Sequence, residues 1–194
     1  DAHVGWQYDG RSYDGKWNHF TENEPANNSE CTFCHLEDHT FRPALRDICL
    51  ECHDDGPVDE IRLGRTTDYD GDEDNTESLK DEVETFGTRL FDAMQDYADN
   101  ELGSPIVYDS HAYPYWFADD NGNGVADNGE ANYGNRYRDW DPAMMKAAFN
   151  YQMWAKDPGA WAHNTHYILQ LLYDSIEDLD DVLEEGYTDG LTRP

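Results

Sequence analysis

The sequence predicts a mainly α protein with much irregular structure: a loop-wrapped N-terminal segment (residues 1–60) and a small three-helix module with acidic loops (residues 61–194), together forming one compact unit. Three observations predict it. Apolar residues recur at steps of three and four in three stretches of the second part. All four cysteines lie in the first sixty residues, among many Gly, Asn and Asp and without a long amphipathic period. Hydrophobic content is only 38% while aromatics reach 13%, too aromatic for a disordered acidic chain and suited to a core built partly from rings. A length of 194 residues corresponds to one domain, or one domain plus a small module.

Residues 54–80 (Asp54-Asp55-Gly56-Pro57, then Asp68 to Glu77) are acidic and turn-rich and read as a connector. A helix is predicted from Ser78 to Ala98, because Leu79, Val83, Phe86, Leu90, Met94 and Tyr97 make one apolar stripe. Gly103, Pro105 and Pro114 break helical structure, with Ile106-Val107-Tyr108 as a short extended piece. The second helix takes Asp141 as N-cap and Pro142 as its first residue and runs to Lys156. Asp157-Pro158-Gly159 ends it. The third, from Trp161 to Leu183, keeps Tyr167, Ile168, Leu171, Leu172, Ser175, Ile176 and Leu179 in step and is predicted to bend or break near Asp174 to Asp178.

The cysteines form two copies of one pattern, Cys31-Thr-Phe-Cys34-His35 and Cys49-Leu-Glu-Cys52-His53. C-x-x-C-H is the attachment site of c-type haem: the thiols form thioethers and the histidine ligates iron. A four-cysteine zinc site or two disulfides would use the cysteines but not the histidines. Histidine is 8 of 194 residues, so one after each pair by chance has a probability of about 0.2%. The N-terminal part is therefore read as a dihaem c-type segment wrapped by loops, carrying two haem c. Little else there can be buried, so the apoprotein is expected to fold poorly. Only thirteen residues separate His35 from Cys49, which keeps the haems close and argues against a dihaem peroxidase with one haem per domain.

An iron that only transfers electrons needs a second axial ligand. His3, His19, His39, His111, His163 and His166 are available, whereas Met94, Met144, Met145 and Met153 lie on helical faces and read as core. Two bis-histidine haems are the favoured state. His39, four residues after His35, cannot reach back to the same iron and is assigned to the haem of Cys49 and Cys52. His19, twelve residues before Cys31, can loop over the first haem. His3, His111 and His163 are further candidates, ahead of His166.

Residues 119–130 match the calcium loop of twelve residues. Asp119, Asn121 and Asn123 are alternate oxygen donors, Gly124 permits the sharp turn, Val125 offers a carbonyl, Asp127 follows, and Glu130 closes as the bidentate ligand. Tyr113-Pro114-Tyr115 stands where an entering helix would be, so the EF-hand is incomplete and a structural rather than sensing calcium is expected, with an Asn/Gly-rich surface turn as the competing reading. Asp68, Asp70 and Asp72 repeat the alternation with Glu77 or Glu82 as closers, but Glu73 occupies the glycine position and Leu79 that of the closing Glu. A solvated acidic turn competes with that second site.

Formal net charge is −30, and each ferric haem with ionised propionates adds about −1. Such a field repels nucleic acid and anionic lipid and favours cations or basic partners. No run of apolar residues spans a membrane. Haem is attached to C-x-x-C-H outside the cytoplasm, so Asp1 is read as the start of a mature chain whose leader is gone.

The order of features resembles secreted multihaem c-type cytochromes of anaerobic bacteria and archaea. The matching segments are Cys31 to His53 with His39-Thr-Phe41; Ile61-Arg-Leu-Gly64 with Asp68 to Asp72; Tyr113-Pro-Tyr115 before the Asn-Gly-Asn-Gly loop; and Asp157 to Asn164 with Gln170 to Ile176. The resemblance implies an extracellular electron carrier, secreted or at the cell surface with the periplasm as alternative. Its partners would be redox proteins or an extracellular acceptor. A two-haem unit lengthens its relay only by assembling, and His3 could then ligate a haem of the next subunit in a filament. The alternative is a haem redox enzyme, a small-oxyanion reductase or peroxidase with one open iron position. Against it, no Lys stands in a haem motif and basic residues are scarce. A third reading makes haem a fold organiser in a partner-binding module.

Overall fold

The computed structural model describes residues 4–15, 57–60 and 67–194, together with His35 and Arg62. A short 3-10 turn, Val58–Glu60, precedes the acidic turn and the first long helix, α1 (Leu79–Asn100). Ser78 caps α1, its hydroxyl oxygen accepting from the Asp81 amide at 3.1 Å. The predicted stripe is the buried face: Val83, Phe86, Leu90, Met94 and Tyr97 are all buried. Gly87, in the middle of that helix, is explained by packing, since a Cβ there would lie 2.2 Å from the Trp154 ring.

An antiparallel hairpin follows, β1 (Ile106–Tyr108) with β2 (Trp116–Ala118), Val107 opposite Phe117. One face packs Ile106, Tyr108 and Trp116 onto the bundle core, while Val107 and Phe117, both wholly buried, lie on the other face. Helix α2 (Pro142–Ala155) starts as expected, with Asp141 accepting from the Met144 amide at 2.8 Å and proline in the first turn. The predicted third helix is two elements, α3 (Ala160–His163) and α4 (Thr165–Leu183). The break falls at Asn164, whose side chain accepts from the Tyr167 amide at 3.3 Å and so starts a new helix. Residues 174–178 are continuous helix; there, Asp174 is held by Arg193 at 2.7 and 2.9 Å, so its charge is matched and does not break the turn.

Helices α1, α2 and α4 pack on one another around Leu90, Met94, Met144, Leu169, Leu172 and Ile176. Residues 4–15 lie along this bundle. Asn150, fully buried, accepts from the Trp6 amide at 2.6 Å and donates to the Trp6 carbonyl at 3.0 Å. Further along, the Asp14 amide donates to Gln170 at 2.8 Å, and Tyr8 donates to Ser175 at 3.2 Å. Among the described residues no helix is long and apolar enough to cross a membrane.

Candidate haem and cation sites

Cys31, Cys34, Cys49, Cys52, His53, His39, His19 and His3 lie outside the described residues. His35 has helical backbone and a half-buried side chain. The ring that meets it comes from the far end of the sequence: the centroid of His163 lies 6.2 Å from that of His35, with the planes inclined at 55°. His163 is the last residue of α3. Its Nδ1 lies 2.8 Å from Asp157 Oδ2, on the turn that closes α2. That hydrogen bond raises the pKa of His163 against the effect of burial. Burial pulls the Asp157 carboxyl upward, but the bond and charge of His163 outweigh it and leave it below its ordinary value. Gly159 makes room, since a Cβ there would stand 2.7 Å from Cε1 of His163. Neither Asp157 nor Gly159 announced this role in the sequence; both read there as a helix-ending turn.

The other described histidines are placed differently. His111 is 93% exposed, with Nδ1 3.3 Å from Asp109. His166 has both ring nitrogens engaged, Nδ1 with Asp14 at 2.7 Å and Nε2 with the Tyr69 hydroxyl at 3.0 Å.

A cavity of about 720 Å³ adjoins the Asp157 turn, lined by Tyr108, Tyr151, Trp154 and Trp161 with His111 at its border. Tyr151 links the rings, 5.2 Å from Tyr108 and 5.4 Å from Trp154. The cavity reaches Asp157, the carboxylate that holds His163, although His163 itself does not line it; a carboxylate-held imidazole is a common form of metal-ligating histidine. The donor chemistry of the described part fits the cofactor that the C-x-x-C-H motifs imply.

The loop at 119–130 closes around its own carboxylates. Asp119 accepts from the amides of Gly122 at 2.8 Å and Gly124 at 2.7 Å. Glu130 accepts from Asp120 at 2.9 Å and Asp127 at 3.1 Å. Asn121 and Asn123 both donate to Asp127, at 2.9 and 3.0 Å. Gly124 has φ +76°, the left-handed turn expected of it. Asp119 and Glu130 are buried, while the Val125 side chain is exposed.

The acidic turn before α1 is more concentrated. Among the described residues, carboxylate oxygens converge within 4.8 Å of one another in Asp68, Asp70 and Glu82, and in Asp70, Asp72 and Glu77. Glu82 is wholly buried. It accepts from the amides of Tyr69 at 2.7 Å and Asp70 at 3.0 Å and pairs with Arg62 at 2.5 Å. Burial raises its pKa against those partners. Oε1 of Glu77 is buried without a hydrogen-bond partner. Burial, then the charges of Asp70, Glu82 and Asp72, push the Glu77 carboxyl up to about 7. Sequence spacing named Glu77 and Glu82 as alternative closers; the fold brings both to the turn, because α1 starts between them.

No family model matches the chain, and no solved structure matches it. Curated relatives do, among them the following. The "C-type polyheme cytochrome OmcC" of Geobacter sulfurreducens (strain PCA) is 28% identical over 83% of this chain and 21% of its own length. The "C-type polyheme cytochrome OmcB" of the same species is 26% identical over 95% of this chain and 26% of its own length. The chain thus spans about a quarter or less of the relatives it matches. The homology is weak, and it supports relatedness to multihaem c-type cytochromes without fixing a subtype.

Proposed function

We propose that this chain is an electron-transfer dihaem c-type cytochrome with two bis-histidine haems, working outside the cytoplasm as a secreted or cell-surface protein. The observation that carries the reading is the repeated C-x-x-C-H of Cys31 to His35 and Cys49 to His53; similarity to polyhaem cytochromes supports it. Bound haem supplies a one-electron iron couple. The chain's residues do the rest. Cys31, Cys34, Cys49 and Cys52 tether, His35 and His53 ligate, and the thirteen residues between the motifs hold the two centres near each other. Histidine on both faces closes each iron to substrates, which suits a carrier rather than a reductase or peroxidase. Redox proteins or an extracellular acceptor are the partners of this reading, and contact between haems of successive copies would extend the relay into a filament.

Calcium belongs to the same proposal. Asp119, Asn121, Asn123, Val125 (through its carbonyl), Asp127 and Glu130 form one site, the two amides turning their oxygens inward on binding. Asp68, Asp70 and Asp72 with Glu77 and Glu82 form the second. A cation there would satisfy Glu77 Oε1, which is buried and unpartnered.

Haem quantitation and ligand challenge of the purified holoprotein test the main reading. The expected result is two haems per chain with low-spin spectra that do not change under carbon monoxide. A carbon monoxide-binding haem in the wild-type protein would turn the reading toward the enzyme.

A further inference from the structure

His35 directly follows Cys34 in a C-x-x-C-H motif, so on the haem reading its ring would be the proximal ligand of the iron tethered there. Whatever faces that ring across the width of one metal atom occupies the opposite coordination position. Two imidazoles bound on opposite sides of a metal, each through nitrogen at about 2.0–2.1 Å, have ring centres about 6 Å apart. The ring of His163 meets that of His35 at 6.2 Å. Two aromatic rings packed together can show the same separation, so the distance alone does not decide.

The surroundings of His163 do. Ligating histidines almost always give their other ring N–H to a carboxylate or carbonyl, which fixes tautomer and orientation. Nδ1 of His163 is held by Asp157 at 2.8 Å, leaving Nε2 as the ligating nitrogen. The ring rests on Gly159, where any side chain would displace it. Its neighbour His166, with both nitrogens engaged, has none to offer a metal. His111, almost fully exposed, has no such seat.

We propose that His163 is the distal axial ligand of the iron whose proximal ligand is His35. The inference rests on the haem reading above and gives His163 the place that sequence spacing offered to His19. It joins the N-terminal segment to the turn between α2 and α4, so haem attachment pins the cofactor segment to the helical module. It also places the first haem next to Asp157 and the aromatic-lined cavity.

The test is His163→Ala made as the holoprotein, read by haem content, electron paramagnetic resonance and carbon monoxide binding. The expected result is two haems per chain, with the low-spin signal lost from one of them. That haem then binds carbon monoxide, and added imidazole restores its low-spin spectrum. His166→Ala, the control, keeps both haems low-spin. If both haems of His163→Ala stay low-spin and inert to carbon monoxide, the assignment is overturned while the two-haem reading stands. Wild-type protein without haem c would overturn that reading instead. Should His163→Ala not mature, His163→Met keeps a ligand in place. One reduction potential is then expected to rise, as methionine ligation raises it, and two unchanged potentials would overturn the assignment.

Discussion

Asp157 and His163 are joined by a 2.8 Å contact between Oδ2 and Nδ1 across the turn that separates α2 from α3. The carboxylate holds the Nδ1 edge of the imidazole, whose centroid lies 6.2 Å from that of His35. It also feeds electron density into the ring, which makes its other nitrogen a more basic donor.

Replacing that carboxylate tests the coupling. Asp157→Asn keeps the size of the side chain but removes the charge. With His163 as an iron ligand, a less basic imidazole favours the ferrous state, and the reduction potential of one haem should rise while the other stays. A potentiometric titration reads this directly. Two unchanged potentials would mean that the pair only shapes the turn.

Glu77 gives a pH signature. Its carboxyl is raised from 4.5 to about 7 in the folded chain. Between those values the folded state holds a proton that the unfolded state has released, so this contribution is full below pH 4.5 and is lost as pH rises through about 7. In calcium-free buffer, stability should therefore fall across that window, and Glu77→Gln should flatten the slope. Saturating calcium should restore stability at neutral pH and make it sensitive to chelator. Thermal melts with no calcium dependence in wild type would count against both cation sites.

Asn150 ties residues 4–15 to the bundle through both ends of its side-chain amide: Oδ1 accepts from the Trp6 amide, and Nδ2 donates to the Trp6 carbonyl and to the Ser175 hydroxyl. Asn150→Ala strands the Trp6 amide and carbonyl. Trp6 is exposed, so water replaces part of what is lost and the expected cost is about 1 kcal/mol, that of an ordinary hydrogen bond. Denaturant unfolding measures it, and faster proteolysis near Trp6 should accompany it.

Gly87 is unfavourable in a helix by about 1 kcal/mol relative to alanine. Its Cβ position is nevertheless filled by the Trp154 ring, 2.2 Å away. Overpacking costs about 1–3 kcal/mol, so Gly87→Ala should destabilise in spite of its better propensity. A shift in tryptophan fluorescence would show Trp154 displaced, and a more stable variant would show that the ring yields freely.

Local chemistry made much of this protein legible from its residues. The haem motifs, the caps of Ser78 and Asp141, the apolar stripe of α1 and the left-handed Gly124 depend on neighbours a few positions away, and spacing encodes those. Long helices could be placed for the same reason, whereas the break at Asn164 turned on one side chain choosing a cap over the helix interior. What joins distant parts was not written in any local pattern. Asn150 reaching Trp6, Arg193 holding Asp174 and Trp154 filling the space above Gly87 exist only once helices pack. The same holds for His163. Sequence offered it as a further candidate behind His39 and His19. A carboxylate, a glycine and the ring of His35 converge on its imidazole only after the chain has closed on itself.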